Sequence, residues 1–206
     1  MTRGLFCILF LTTCIVSNSQ SDSLFYENGS IKAYGTEDVN GTKAGIWIYL
    51  FPDKTINAKL SYKEGELHGL QQYYYPNAQL KALEKWTDGI LQDSAKYFHS
   101  NGHLEKIGVY HMGLYQGNWR FYFNNGFLKR EGAYQEGLPV GVWSFYFENE
   151  ALNQTGEFVD GLENGPWRYY DGSGNLLYQG EWKNGEKIGQ WYVFKRGKKK
   201  PWKNFD

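Results

Sequence analysis

Between Gly113 and Glu136 the side chains alternate with a period of two. Trp119, Phe121 and Phe123 fall on one side of the alternation, and Arg120 and Tyr122 on the other, which is the pattern of a β-strand. Asn125 and Gly126 follow, a pair suited to the positive φ angles of a type I′ turn. Leu128, Arg130, Gly132 and Tyr134 then alternate with Lys129, Glu131 and Ala133, so the segment is predicted to be a hairpin. Counting outward from Asn125 and Gly126 sets Phe123 opposite Leu128, Phe121 opposite Arg130 and Trp119 opposite Gly132. On the other face Arg120 meets Glu131 and Tyr122 meets Lys129. The pairings are physically sensible, since they set a guanidinium against a ring and a tryptophan over a glycine that leaves backbone bare.

The pattern recurs every 24 residues. Gly41, Gly65, Gly89, Gly113, Gly137, Gly161 and Gly185 keep that interval without insertion or deletion. A second glycine column stands four residues on, at Gly45, Gly69, Gly117, Gly141, Gly165 and Gly189, with Asp93 in the remaining place. Trp47, Trp119, Trp143, Trp167 and Trp191 occupy the tryptophan column, where units two and three carry Gln71 and Ala95. An aliphatic column runs through Ile56, Leu80, Leu104, Leu128, Leu152 and Leu176. A strict period of this length marks a repeat architecture in which each unit stacks on its neighbours. The expected fold is all-β, an elongated single-layer antiparallel sheet of tandem 24-residue β-hairpin repeats, of about 14 strands and on the order of 65 Å long at the usual strand spacing. The glycines act as punctuation between hairpins, and aromatic rings stacking from unit to unit replace a central core.

The N-terminus departs from this pattern. Arg3, an apolar run from Leu5 to Val16 and the polar Ser17, Asn18 and Ser19 fit a secretory signal peptide over residues 1–19, cleaved before Gln20. The run is too short for a membrane span of about 20 residues. The expected organisation is then a capping half-repeat at 20–40, seven repeats at 41–198 and a C-terminal cap at 199–206. Cys7 and Cys14 both lie in the leader, so the processed chain has no disulfide or thiolate site. Leu11, Thr12, Thr13 and Cys14 also resemble a lipobox, which gives lipidation at Cys14 as a second reading. Formal net charge is zero, which argues against nucleic acid as a partner. Lys198 to Lys200 and Lys203 read as a solvated terminal cap.

Candidate chemistry changes little. His99 and His103 have a ligand spacing that carries meaning on a helix, but they flank a hairpin turn, so no metal site is assigned. Glu105, Glu131 and Glu157 read as cross-strand partners, and no nucleophile elbow, phosphate loop or dinucleotide fingerprint is present. No catalytic residue, cofactor or enzymatic activity is expected. The functional promise lies in the aromatic columns. The row opposite the tryptophans, Tyr74, Phe98, Tyr122, Tyr146 and Tyr170, is the candidate interaction face.

Gly113, Gly117, Trp119, Tyr122, Asn125, Gly126, Leu128, Gly132 and Tyr134 together resemble the MORN repeat family, in its bacterial variant, and the match in phase covers about residues 41–198. The resemblance implies a hairpin-repeat sheet that serves as an interaction surface or spacer without activity of its own. Some bacterial members are labelled antitoxins, a cytoplasmic role that an export signal argues against. The expected function is an exported, periplasmic or secreted scaffold that binds another protein. The alternative is a cell-envelope glycan or lipid head group held by the aromatic ladder. The terminal strands leave end-to-end association, and so the oligomeric state, open.

Overall fold

The computed structural model describes residues 20–205, and the predicted leader, its cleavage site and Cys14 lie outside them. Seventeen strands form one sheet. They are β1 (Gln20–Phe25), β2 (Ile31–Glu37), β3 (Lys43–Leu50), β4 (Ile56–Lys63), β5 (Glu66–Leu67), β6 (Gly69–Tyr74), β7 (Leu80–Thr87), β8 (Ile90–Phe98) and β9 (Leu104–His111). The series continues with β10 (Leu114–Tyr122), β11 (Leu128–Gln135), β12 (Leu138–Tyr146), β13 (Leu152–Val159), β14 (Leu162–Tyr170), β15 (Leu176–Lys183), β16 (Glu186–Lys195) and β17 (Lys198–Phe205). Each strand pairs antiparallel with the next in chain order, except that β5 and β6, successive pieces of one strand, both pair with β4. The strand number exceeds the expected one for two reasons. The front segment closes into a hairpin of its own, β1 with β2, and the first strand of unit two is interrupted at His68 into β5 and β6. The basic C-terminal segment is the return strand of the last unit.

Within each hairpin the counted register holds near its middle and fails at its tip. Trp119 pairs with Gly132, Arg120 with Glu131 and Phe121 with Arg130, as counted, but Tyr122 pairs with Leu128 and leaves Lys129 as an extra residue. The turn itself is the reason. The Phe123 amide donates to the Phe127 carbonyl at 2.8 Å and the Gly126 amide to the Phe123 carbonyl at 2.9 Å. The loop is therefore Asn124, Asn125 and Gly126, and only the glycine of the proposed turn pair takes a positive φ, 90°. This is a three-residue type I turn closed by a left-handed residue, not a type I′ turn.

The type I′ turns lie instead between hairpins. Glu136 and Gly137 have φ of 50° and 83° and are flanked by the pair Gln135 and Leu138. Six of the seven glycines of the 24-residue column thus occupy the second position of a two-residue turn, preceded by Glu64, Asp88, Met112, Glu136, Asp160 or Asn184, all left-handed, while Gly41 closes a three-residue turn from Asp38 to Thr42. Aspartate and asparagine tolerate that conformation, whereas methionine and glutamate carry strain there. The turn glycines also tie the units together. The Gly113, Gly137 and Gly161 amides donate to the carbonyls of Leu91, Tyr115 and Pro139 in the preceding unit. At the opposite edge Asn77, Asn101 and Asn149 donate side-chain amides to the turn carbonyls of Ser100, Asn124 and Gly172 in the following unit.

Between units the register jumps. Glu131 pairs with Ser144 and Ala133 with Val140, so Gly141, Val142 and Trp143 stand against Gly132 alone. Gly141 enters this bulge at a φ of 66°, and its counterpart Asp93 at 68°, so the apparent exception in the second glycine column keeps the same conformation. The bulge carries the Trp143 ring over Gly132, where an added Cβ would overlap the indole. The same holds for Trp47 on Gly35, Trp119 on Gly108, Trp167 on Gly156 and Trp191 on Gly180. The ring therefore covers the glycine of the preceding hairpin and not the one that its backbone pairs with, which corrects the sequence-based pairing. These five tryptophans are at most 2% exposed, although the described residues form a single sheet with no second layer.

Substituting Gly132→Ala is expected to destabilise the fold by about 1–3 kcal/mol through overpacking. Trp143→Ala is expected to lose about 3–5 kcal/mol. The two are expected to be strongly non-additive in urea denaturation, with the double variant no less stable than Trp143→Ala. Met112→Asn, which relieves a left-handed methionine, is expected to raise the unfolding free energy by about 1 kcal/mol in the same measurement.

Candidate interaction surface

Two faces with different chemistry follow from the register. The tryptophan face carries Tyr97, Tyr110, Tyr115, Phe121 and Tyr134 around Trp119 and Ala95. The Tyr115 ring lies 4.0 Å from that of Trp119, and Tyr110 meets the same indole edge-on at 5.1 Å. Contacts of this kind continue from unit to unit, through Tyr134 with Trp143, Phe158 with Trp167 and Trp182 with Trp191. Three lysines of the chain lie on these rings. Lys43 Nζ is 4.5 Å from the Trp47 centroid, Lys106 Nζ is 4.2 Å from Tyr97, and Lys187 Nζ is 4.6 Å from Trp191.

Four of the five indoles also complete the backbone hydrogen bonding that the bulge disrupts. Nε1 of Trp47, Trp119, Trp143 and Trp167 donates to the carbonyls of Thr36, Val109, Ala133 and Glu157. In unit two Gln71 takes over this role. It is fully buried, its Nε2 donates to the Ser61 carbonyl at 3.1 Å, and its Oε1 accepts from the Ser61 amide at 2.7 Å. Unit three has Ala95 in the tryptophan place, paired across the strands with Glu84, which stands where other units have glycine. Glu84 Oε1 accepts from the Tyr97 hydroxyl at 2.7 Å, and Oε2 accepts from Trp86 Nε1 at 3.0 Å.

The row expected as the interaction face lies on the opposite side of the sheet. Tyr74, Phe98, Tyr122, Tyr146 and Tyr170 are all partly buried and pair with Leu80, Leu104, Leu128, Leu152 and Leu176. The Tyr146 hydroxyl donates to Glu131 Oε1 at 3.2 Å and the Tyr74 hydroxyl to Gln72 Oε1 at 3.2 Å. Around them the face is polar, with Arg120 and Glu131 at 3.2 Å, an exposed pair that contributes little. His99 and His103 reach the carbonyls of Tyr122 and Asn124 in the next hairpin. Among the described residues no group of three or more His, Cys, Asp or Glu side chains is placed to hold a metal ion.

A third feature was missed by the period-two reading. The residue after each type I′ glycine is Ile90, Leu114, Leu138 or Leu162 in the four central units, and these side chains are 45–50% exposed. Leu114, Leu138 and Leu162 lie against the glycine of the next turn, so they form a stripe along one long edge. Glu66 and Glu186 hold the equivalent places at its ends, and Glu64, Asp88, Glu136 and Asp160 stand in the turns beside it. A separate column count one residue past the glycines would have exposed this row.

With this geometry in view, residues 163–184 match the family model of the MORN repeat variant. The matched segment is one unit, which supports the resemblance to the MORN repeat family, and the same residue pattern runs in phase through the other units. No curated protein matches it. Among solved structures it is similar to a chain of the crystal structure of TcdB2-TccC3, at 10% identity and a TM-score of 0.20. That alignment takes in 85% of this chain and 14% of the other, a likeness too remote to bear on fold or function.

Tyrosine burial on the tryptophan face couples the fold to alkaline pH. Burial, and then the Glu84 carboxylate, push the Tyr73 hydroxyl from its ordinary 10.0 up to about 12. Burial first, with hydroxyl or carboxylate neighbours after it, also raises Tyr62, Tyr97 and Tyr110. A raised folded-state value means that the unfolded chain loses these protons first, so the stabilisation is complete below about pH 10 and falls as pH rises toward 12. The urea midpoint is expected to show no loss from these tyrosines up to about pH 9.5 and to decline steeply above pH 10. A midpoint that stays level to pH 12 would contradict this.

Proposed function

We propose that the chain is a non-enzymatic, exported interaction scaffold that binds another protein along the edge formed by its type I′ turns. The observation that carries the reading is the stripe of Ile90, Leu114, Leu138 and Leu162, half exposed and repeated once per unit. Exposed apolar side chains arranged contiguously mark interaction sites more often than isolated ones do. Adjacent members are separated by two strands, about 10 Å. The acidic residues beside them favour a partner segment with basic side chains interspersed among apolar ones. The continuous ladder of hairpins supports this role, because it holds the stripe in register without a partner. The apolar run from Leu5 to Val16 supports export.

The test compares the native chain with Leu114→Asp/Leu138→Asp as bait in a cell-envelope extract, read by quantitative mass spectrometry. Both substitutions are at exposed positions, so the fold is expected to persist by circular dichroism. A protein retained by the native chain is expected to fall by about tenfold or more with the variant. An unchanged set of captured proteins would overturn the reading. Equal retention of both baits on isolated envelope glycan or anionic vesicles, without a protein partner, would favour the head-group alternative.

A further inference from the structure

Between the third and fourth hairpins the protein holds three cations that no carboxylate neutralises, away from the edge discussed above. Within each hairpin the residue two after the tryptophan place is aromatic in the first six units, and it faces a residue of the return strand. That partner is Ala58, Ala82, Gln154 or Tyr178 in units one, two, five and six. In units three and four it is Lys106, opposite Tyr97, and Arg130, opposite Phe121. Phe121 also pairs with Lys106 of the preceding hairpin, so one ring stands between two cations. The bulge at the hairpin tip adds a third, because Lys129 is the extra residue beside Arg130. Unit seven, at the free edge of the sheet, has Lys200 opposite Val193 and no ring between.

Lys106, Lys129 and Arg130 line a solvent-open cleft of about 400 Å³ between the two hairpins, within the range of about 300–1,000 Å³ usual for small-ligand sites. Tyr115 and Phe121 form part of its wall, and His99 ties the hairpins together beside it by reaching the Tyr122 carbonyl at 3.2 Å. Glu105 is the one carboxylate on the lining, so three positive charges stand against one negative. Among the described residues the ion pairs are His68–Asp88, Lys85–Asp93 and Arg120–Glu131, and none of them engages these three cations. Their donors are left for a ligand. Arg130 Cζ lies 4.3 Å from the Phe121 centroid, and a guanidinium held by its face on a ring keeps its N–H fork for an acceptor. Lys106 spends one ammonium proton on the Tyr115 hydroxyl at 2.8 Å and has two more to donate. Lys129 is exposed, with Nζ 5.4 Å from the Phe123 centroid.

We propose that Lys106, Lys129 and Arg130 form a binding site for the phosphate monoester group of a water-soluble ligand. Such a group carries about −1.5 to −2 charge at neutral pH and three acceptor oxygens, which match the surplus charge and the three cations of the cleft. A carboxylate brings one charge and two oxygens, and so leaves one cation unmet. None of the large apolar side chains exposed on this protein lines the cleft, so nothing beside it enters a bilayer, and a soluble ligand is favoured over a lipid head group.

The test is calorimetric titration of the full chain with glycerol 3-phosphate and, separately, with acetate, at neutral pH and constant ionic strength. Glycerol 3-phosphate is expected to bind saturably, and acetate about tenfold more weakly or less. Lys129→Asn/Arg130→Gln installs the pair that unit five carries, Asn153 and Gln154, so the fold is expected to persist by circular dichroism while the affinity for glycerol 3-phosphate falls by about tenfold or more. Lys96→Gln removes an exposed cation from the opposite face of unit three and is expected to bind as the native chain does. Vesicles of phosphatidic acid and phosphatidylcholine are expected not to retain the native chain. The absence of saturable binding, undiminished affinity in the double variant, or acetate binding as tight as that of glycerol 3-phosphate would overturn the proposal. Retention on the vesicles that the double variant loses would overturn the assignment to a soluble ligand.

Discussion

The whole array depends on the contact between one tryptophan and one glycine. A single-layer sheet has no second sheet or helix to cover its apolar face, so burial has to be found within the layer. At five unit junctions the three-for-one bulge does this by laying an indole on the bare backbone of the preceding hairpin. The geometry leaves no room for a Cβ beneath the ring, and it aims Nε1 at a carbonyl next to the glycine in four of the five cases. Trp191 keeps the packing, but its buried Nε1 has no partner. One residue thus supplies burial and satisfies a backbone acceptor that the bulge would otherwise strand, at a cost of about 1–3 kcal/mol if left unmet.

Both long edges reinforce the same neighbour relation. Turn glycine amides reach back one unit at one edge, and asparagine side chains reach forward one unit at the other. Every such bond joins adjacent units, so stability is a sum of local interfaces and not of a shared core. The chemistry of the surface is then free to vary along the array, provided that each junction is closed. The edge stripe uses this freedom at the four central positions, where Ile90, Leu114, Leu138 and Leu162 replace the glutamates of the ends.

The sequence states the fold class openly because the spacing of glycine and tryptophan is a backbone requirement. The period, the hairpins, the Arg120–Glu131 and Phe121–Arg130 pairings and the left-handed second glycine column can all be read from it. The turn types cannot be read so easily. Asn125–Gly126 suits two different turns, and only the hydrogen bond from the Phe123 amide to Phe127 distinguishes them. The type I′ turns were hidden because their first residue is glutamate twice, aspartate twice, and asparagine and methionine only once each. The tryptophan partner was misread for a related reason, since the backbone register points to Gly132 as the neighbour of Trp119 while the bulge swings the ring to Gly108. Of the surface features, the row through Tyr122 was legible as a row. Its pairing with an aliphatic column depends on the extra residue at the hairpin tip.

The two irregular units show that the constraint applies to a pair of residues. Where tryptophan is absent the glycine beneath it is absent too, with Leu60 facing the Gln71 unit and Glu84 the Ala95 unit. Small and large exchange sides: a ring over a bare backbone becomes a short or amide side chain beside a longer one. Gln71 retains the hydrogen-bonding half of the tryptophan's role and gives up most of the packing. The Ala95 unit gives up both, and there the register closes by one further pair, Glu84 with Ala95, while Lys85 and Asp93 bridge the bulge by charge. Asp93 is held below the usual carboxylate range, first by its hydrogen bond to Lys85. A junction rebuilt in this way no longer needs its indole, and the space released on the tryptophan face is what leaves room for Glu84 among the rings.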